Sequence, residues 1–128
     1  MGAKKCAPPP GALINFQNDA PVLDRFGNYT GGVRSPYLDV PTAQWFAGSP
    51  GSGLNFLLGY VHPFDGQHLK PLYDSHERYV DDVVDATRRL VLQRYLTRDD
   101  GEEIIRQAKN SDVPTLADIP SDLPDDLR

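Results

Sequence analysis

Cysteine occurs once in these 128 residues, as Cys6. That excludes an internal disulfide and a zinc site built on cysteines. No run of apolar residues is long enough to cross a membrane, so no membrane partner is expected. No basic face stands out in a chain of net charge −5, and nucleic acid is not an expected partner. Apolar residues make up only 39% of the chain, a small supply for a core. A signal peptide is not expected either, because Cys6-Ala-Pro-Pro-Pro-Gly11 stands where its apolar region would lie. The sequence points to no compartment. Met1-Gly2 could invite myristoylation, but position 6 is Cys where Ser or Thr is usual.

Complete catalytic motifs are also missing. The sequence holds no G-x-S-x-G and no H-E-x-x-H. Gly48 to Gly53 has the outer glycine spacing of a phosphate-binding loop. Leu54 and Asn55 then stand where that motif needs Lys and Ser or Thr, so a plain linker fits better. No two of His62, His68 and His76 share a helix face at metal-binding spacing. His62 follows the most apolar run and could be oriented by Asp65. His76 falls near a helix start, beside Asp74 or Glu77. Structural or solvent-facing roles fit all three histidines better than catalysis. Arg34 and Asp39 flank Ser35-Pro36-Tyr37 and are expected to form an ion pair that holds this segment. Asn28-Tyr29-Thr30 is a glycosylation sequon, a triplet common by chance. No residue is assigned a catalytic, cofactor-binding or metal-binding role, and no cofactor is expected.

What is present is one strong helix. Over 74–95, Tyr79, Val80, Val83, Val84, Thr87, Leu90, Val91 and Tyr95 recur at helical spacing. Asp74 or Ser75 can cap it, with Glu77 completing a capping box. Acidic residues fill its first half and basic ones its second, which suits the helix dipole. Asp74–Arg78 and Asp85–Arg89 are candidate i,i+4 pairs. Thr97 looks like a second cap, before an inner face of Ile104, Ile105 and Ala108. The pattern predicts a hairpin of helices over about 75–96 and 98–110.

The rest is rich in Gly (11) and Pro (12). Residues 1–12 read as a flexible Pro-rich leader. Leu13–Phe16, Thr42–Ala47 and Leu54–Val61 are candidate short strands, the last of them buried and stopped by Pro63. Pro36 and Pro41 argue against a helix or a central strand between them, leaving an extended segment anchored by Tyr37, Val40 and Trp45. Asp65 can cap a short turn through Leu69. Residues 111–128 carry five Asp and three Pro, and read as a disordered acidic tail. The expected class is α+β: an extended N-terminal half with one or two short strands, then the helical hairpin.

Gly31-Gly32-Val33-Arg34-Ser35-Pro36-Tyr37-Leu38-Asp39-Val40-Pro41-Thr42-Ala43 resembles the C-terminal region of a family of α/β-hydrolase-domain proteins. Gly27-Asn28, Gly59, Pro63-Phe64-Asp65, Leu69, Leu72-Tyr73, Ser75-His76 and Tyr79-Val80 resemble it as well, in order and spacing. The similarity runs from about Pro8 to about Ser111, the last quarter or so of a full-length member. It implies an ester-type hydrolase whose nucleophile and catalytic histidine lie upstream of the G-G-V-R stretch. This chain is then expected to be a fragment, a truncated product or one piece of a split protein, inactive alone. Its partner would be the remainder of a hydrolase core, or a second copy through an exposed apolar face. A small acidic interaction module built on the hairpin is the alternative.

Overall fold

The computed structural model describes residues 13–48, 54 and 57–114. The leader, most of the Gly48–Gly53 loop and the tail beyond Pro114 lie outside the described residues. The fold is a small α+β arrangement of short antiparallel strands and helices, with a helical pair at its C-terminal side.

The first element is a β hairpin. Strands β1 (Phe16–Gln17) and β2 (Ala20–Pro21) pair antiparallel, Phe16 opposite Pro21 and Gln17 opposite Ala20. Asn18 and Asp19 both take positive φ, 51° and 61°. Two such residues make the turn whose twist matches the strands it joins. Isolated bridges Ile14–Gly31 and Leu23–Tyr29 continue the pairing. A second turn follows at Asp24, whose Oδ1 accepts the N–H groups of Phe26 (2.8 Å) and Asn28 (3.0 Å). Gly27 sits there at φ +79°, and a Cβ on it would overlap the Gln44 side chain at 2.1 Å.

Helix α1 (Pro36–Asp39) overturns the expectation that two prolines exclude a helix. Pro36 occupies the first helical position after Ser35, where an amide hydrogen would have no partner and a φ near −65° is needed anyway. Pro41 lies beyond the end of the turn. Of the three expected anchors only Val40 is buried. Tyr37 and Trp45 pack against each other at the surface, ring centroids 6.0 Å apart.

Strand β3 (Ala43–Phe46) forms where expected and pairs antiparallel with β4 (Tyr60–Pro63), from Ala43 opposite Pro63 to Phe46 opposite Tyr60. The reading of Leu54–Val61 as a buried strand is corrected on both counts. Only Tyr60 and Val61 of that run enter β4, and every residue of β4 is exposed. The cause is that β3–β4 is a two-stranded sheet, and the core cluster draws none of its members from β4. Pro63 does end the strand.

Asp65 caps α2 (Gly66–Leu69) by accepting from His68 N, and delivers Leu69 fully buried. Helix α3 (His76–Leu92) follows, capped by Ser75, whose hydroxyl accepts Arg78 N. Its stripe buries Val83, Ala86, Thr87 and Leu90. The helix ends three residues before the apolar pattern, which runs to Tyr95, does. Arg94 turns to φ 65°, Tyr95 N–H bonds Leu90 O at 3.0 Å, and Arg94 N–H bonds Val91 O at 3.0 Å. That is the left-handed helix stop usually made with glycine. Arg78 pairs with Asp82 at 3.3 Å, one turn onward, and neither Asp74–Arg78 nor Asp85–Arg89 forms. Helix α4 (Arg98–Asn110) starts as expected at Thr97, which accepts Asp100 N.

The core gathers Val40, Leu69, Tyr73, Val83, Ala86, Ala108 and Val113, with Phe64, Leu72, Tyr79 and Ile104 packed against it. Gly101 lets α4 approach α3 closely: a Cβ there would lie 3.1 Å from Thr87 Cγ2 and from Val91 Cγ2. Val113 and Pro114, just beyond α4, are buried. Val113 reaches the core because His76 holds its carbonyl, with Nδ1 2.9 Å from Val113 O.

Candidate functional site

Arg34 is the node from which the loops are built. Its Nε donates to Asp39 Oδ1 at 2.9 Å, and its Nη2 to Asp24 Oδ2 and Leu38 O, both at 2.9 Å. Its Nη1 donates to Tyr29 O. The expected Arg34–Asp39 pair is therefore one arm of a larger fork, matched to the planar guanidinium. Burial acts to raise the Asp24 carboxyl. The N–H of Asn28, the Arg34 guanidinium and the N–H of Phe26 outweigh it and hold the carboxyl below its ordinary value. Burial likewise acts to lower Arg34, and Asp39 and Asp24 outweigh it to raise the guanidinium. With the Asp24 turn fixed, the next two residues, Arg25 and Phe26, are presented to two adjoining cavities.

The larger, about 390 Å³, is a polar cleft between the Asp24 turn, the end of α1 and α3. Arg25, Asp39, Asp82, Asp85 and Arg89 bring charge to it, and Phe26, Val40, Pro41, Leu72, Tyr73 and Ala86 complete its walls. Tyr73 donates its hydroxyl to Pro41 O at 2.9 Å. Burial, with Tyr79 and Asp82 nearby, pushes that hydroxyl far above the usual phenol range, so it stays a neutral donor. The smaller cavity, about 200 Å³, is lined by Arg25, Phe26, Phe64, His68 and Leu72. Neither lining contains a serine, threonine or cysteine. These cavities can bind and orient a group, but they offer no alcohol or thiol nucleophile.

His76 opens α3 beside Glu77, as expected, but the partner expected for His62 goes to another histidine. Asp65 orients His68, not His62: His68 Nδ1 lies 2.6 Å from Asp65 Oδ1. The His68 contact is the leading cause that lowers the Asp65 carboxyl. His62 sits exposed on β4 opposite Gln44. His76 reaches across to α4, with Nε2 3.3 Å from Lys109 O. Among the described residues no group of three or more His, Cys, Asp or Glu is placed to hold a metal, and no helix is long and apolar enough to cross a membrane. Asn28, the sequon asparagine, is fully buried. Sequence reasoning passed over Arg25 and Phe26, which carry no periodic signal and were legible only as part of a turn.

A third feature is an apolar groove of about 540 Å³ along the helical pair, lined in part by Thr87, Val91, Leu92 and Ile105. Thr87 Oγ1 is buried and has no hydrogen-bond partner.

A family model described as alpha/beta hydrolase domain matches residues 2–106. No curated protein and no solved structure matches the chain significantly.

Proposed function

Because the chain belongs to the alpha/beta hydrolase domain family, we propose that it is the C-terminal portion of an ester-type hydrolase and serves the fold, not the bond cleavage. A parent enzyme of this kind would hydrolyse an ester-like bond through an acyl-enzyme. The nucleophile and the catalytic histidine would come from elsewhere, since the sequence holds no G-x-S-x-G elbow. The observation that carries this reading is the state of the β3–β4 sheet and its connection. Two strands alone are marginal in water. Here they expose Trp45, Tyr60 and Val61, and the connection between them exposes Leu57 to 63%. An apolar surface of this kind expects a covering layer, and the rest of a hydrolase core is the natural one.

The test has two parts. The chain alone is expected to give no turnover of nitrophenyl acetate. Turnover abolished by a single Ser→Ala change would overturn the reading. The chain is also expected to self-associate by light scattering and to melt weakly. A cooperative melt well above about 60 °C from a strict monomer would favour a second reading, a small acidic interaction module that binds through the helical pair. The groove beside Leu92, which is 83% exposed, is the observation that speaks for it.

A further inference from the structure

The smaller cavity brings three features together. The first is Arg25. Its guanidinium lies 4.6 Å from the Phe26 ring centre, and it has no ion-pair partner among the described residues. Arg34, Arg78 and Arg106, by contrast, each hold a carboxylate. The second is His68. Asp65 takes its Nδ1 and also accepts its backbone N–H at 2.9 Å, which fixes the side chain. The other ring nitrogen, Nε2, has no partner among the described residues. The third is the apolar wall. Phe26 and Phe64 meet at 5.8 Å with a 38° tilt, and Leu72 closes the floor.

We propose that this cavity binds a small monocarboxylate carried on an aromatic ring or a branched alkyl group. Arg25 supplies a fixed charge and the forked donors that match a carboxylate. When the ring carries both protons, with Nδ1–H given to Asp65, His68 adds a hydrogen bond from Nε2–H on the same wall. The rings of Phe26 and Phe64 take the apolar body, and about 200 Å³ holds one such body and not two. A cationic ligand would oppose Arg25. A phosphate dianion would turn oxygens toward the phenyl rings without partners, and the Asp65 carboxylate beside His68 would repel it more strongly than a monoanion. Asp39, Asp82, Asp85 and Arg89 face the adjoining cleft, and none of them holds Arg25. The site is made by this chain alone, so it stands or falls independently of the hydrolase reading.

The experiment is titration of the full chain with phenylacetate and, separately, with neutral phenylacetamide, by calorimetry and by NMR of the imidazole and phenyl protons. Phenylacetate is expected to saturate and to shift His68, Phe26 and Phe64. The amide is expected to bind about tenfold more weakly or worse. Arg25→Gln should weaken phenylacetate by about the same factor, while Arg25→Lys should keep part of the affinity. Arg25 is exposed, so neither change should alter the circular dichroism. Absence of saturation, equal affinity for acid and amide, or unchanged binding by Arg25→Gln would each overturn the proposal. So would shifts confined to the α3–α4 groove.

Discussion

Asn28 Nδ2 donates to the carbonyl of Ala43 at 3.2 Å, across fifteen residues of chain. Its Oδ1 accepts the N–H of Trp45 at 2.8 Å. One fully buried amide thus serves as the third strand that β3 lacks on that side. Asn28→Ala would leave a carbonyl and an N–H without partners and should cost about 2–3 kcal/mol, read by urea unfolding. The same burial predicts that the folded chain is not glycosylated at Asn28 in a host that modifies such triplets. Intact mass before and after glycosidase treatment checks this.

Arg34→Lys keeps the charge and loses the fork to Asp24, Asp39 and two carbonyls. The expected loss is about 1–2 kcal/mol. Asp24 supplies a pH signature. Its folded-state value lies below its ordinary 3.8, so its contribution is fully present above that value. It is lost as pH falls through the depressed folded value. The wild-type chain should lose stability over that acid range, and Asp24→Asn should flatten the loss. An unchanged acid slope in Asp24→Asn would show that the node does not link stability to protons.

Thr87→Val should stabilise the protein. The hydroxyl is buried without a partner, while the Cγ2 methyl meets the space above Gly101. Valine keeps the shape and removes the desolvated hydroxyl, a gain of about 1 kcal/mol. Thermal melting should rise by a few degrees. A fall would mean that an ordered water serves this hydroxyl.

Leu54→Lys together with Leu57→Lys should lower self-association without lowering the melting temperature. Both side chains are exposed, at 78% and 63%, and neither belongs to the core cluster. Light scattering against concentration reads the first effect and calorimetry the second. Unchanged association would move the sticky face elsewhere.

The elements legible in the sequence were those whose signal is local. Ser75, Thr97 and Asp65 announce three helix starts by cap chemistry, and each of the three is used. The stripe through Val83, Thr87 and Leu90 announces the buried face of α3. The Asn18-Asp19 turn is local as well, set by two residues at positive φ. What failed depended on distant partners. Leu54–Val61 is apolar enough for a buried strand, but burial needs a second layer, and no periodicity says whether one is present. Arg94 ends α3 in a conformation that glycine normally supplies, so composition gave no stop there. The cavities were illegible for the same reason. Arg25 and His68 lie 43 positions apart in number, and the Phe26–Phe64 contact joins the segments that carry them.

The clasp between His76 and Val113 makes the folding unit longer than its last helix. A cleavage after Asn110 would leave every helix intact and still remove Val113 from among Val83, Ala86 and Ala108. It would open a void the size of a valine at the foot of the hairpin and release the first turn of α3. Protease trimming should accordingly stall before it reaches Pro114, and a gene product shortened to residue 110 should be degraded faster in cells than one shortened to residue 114.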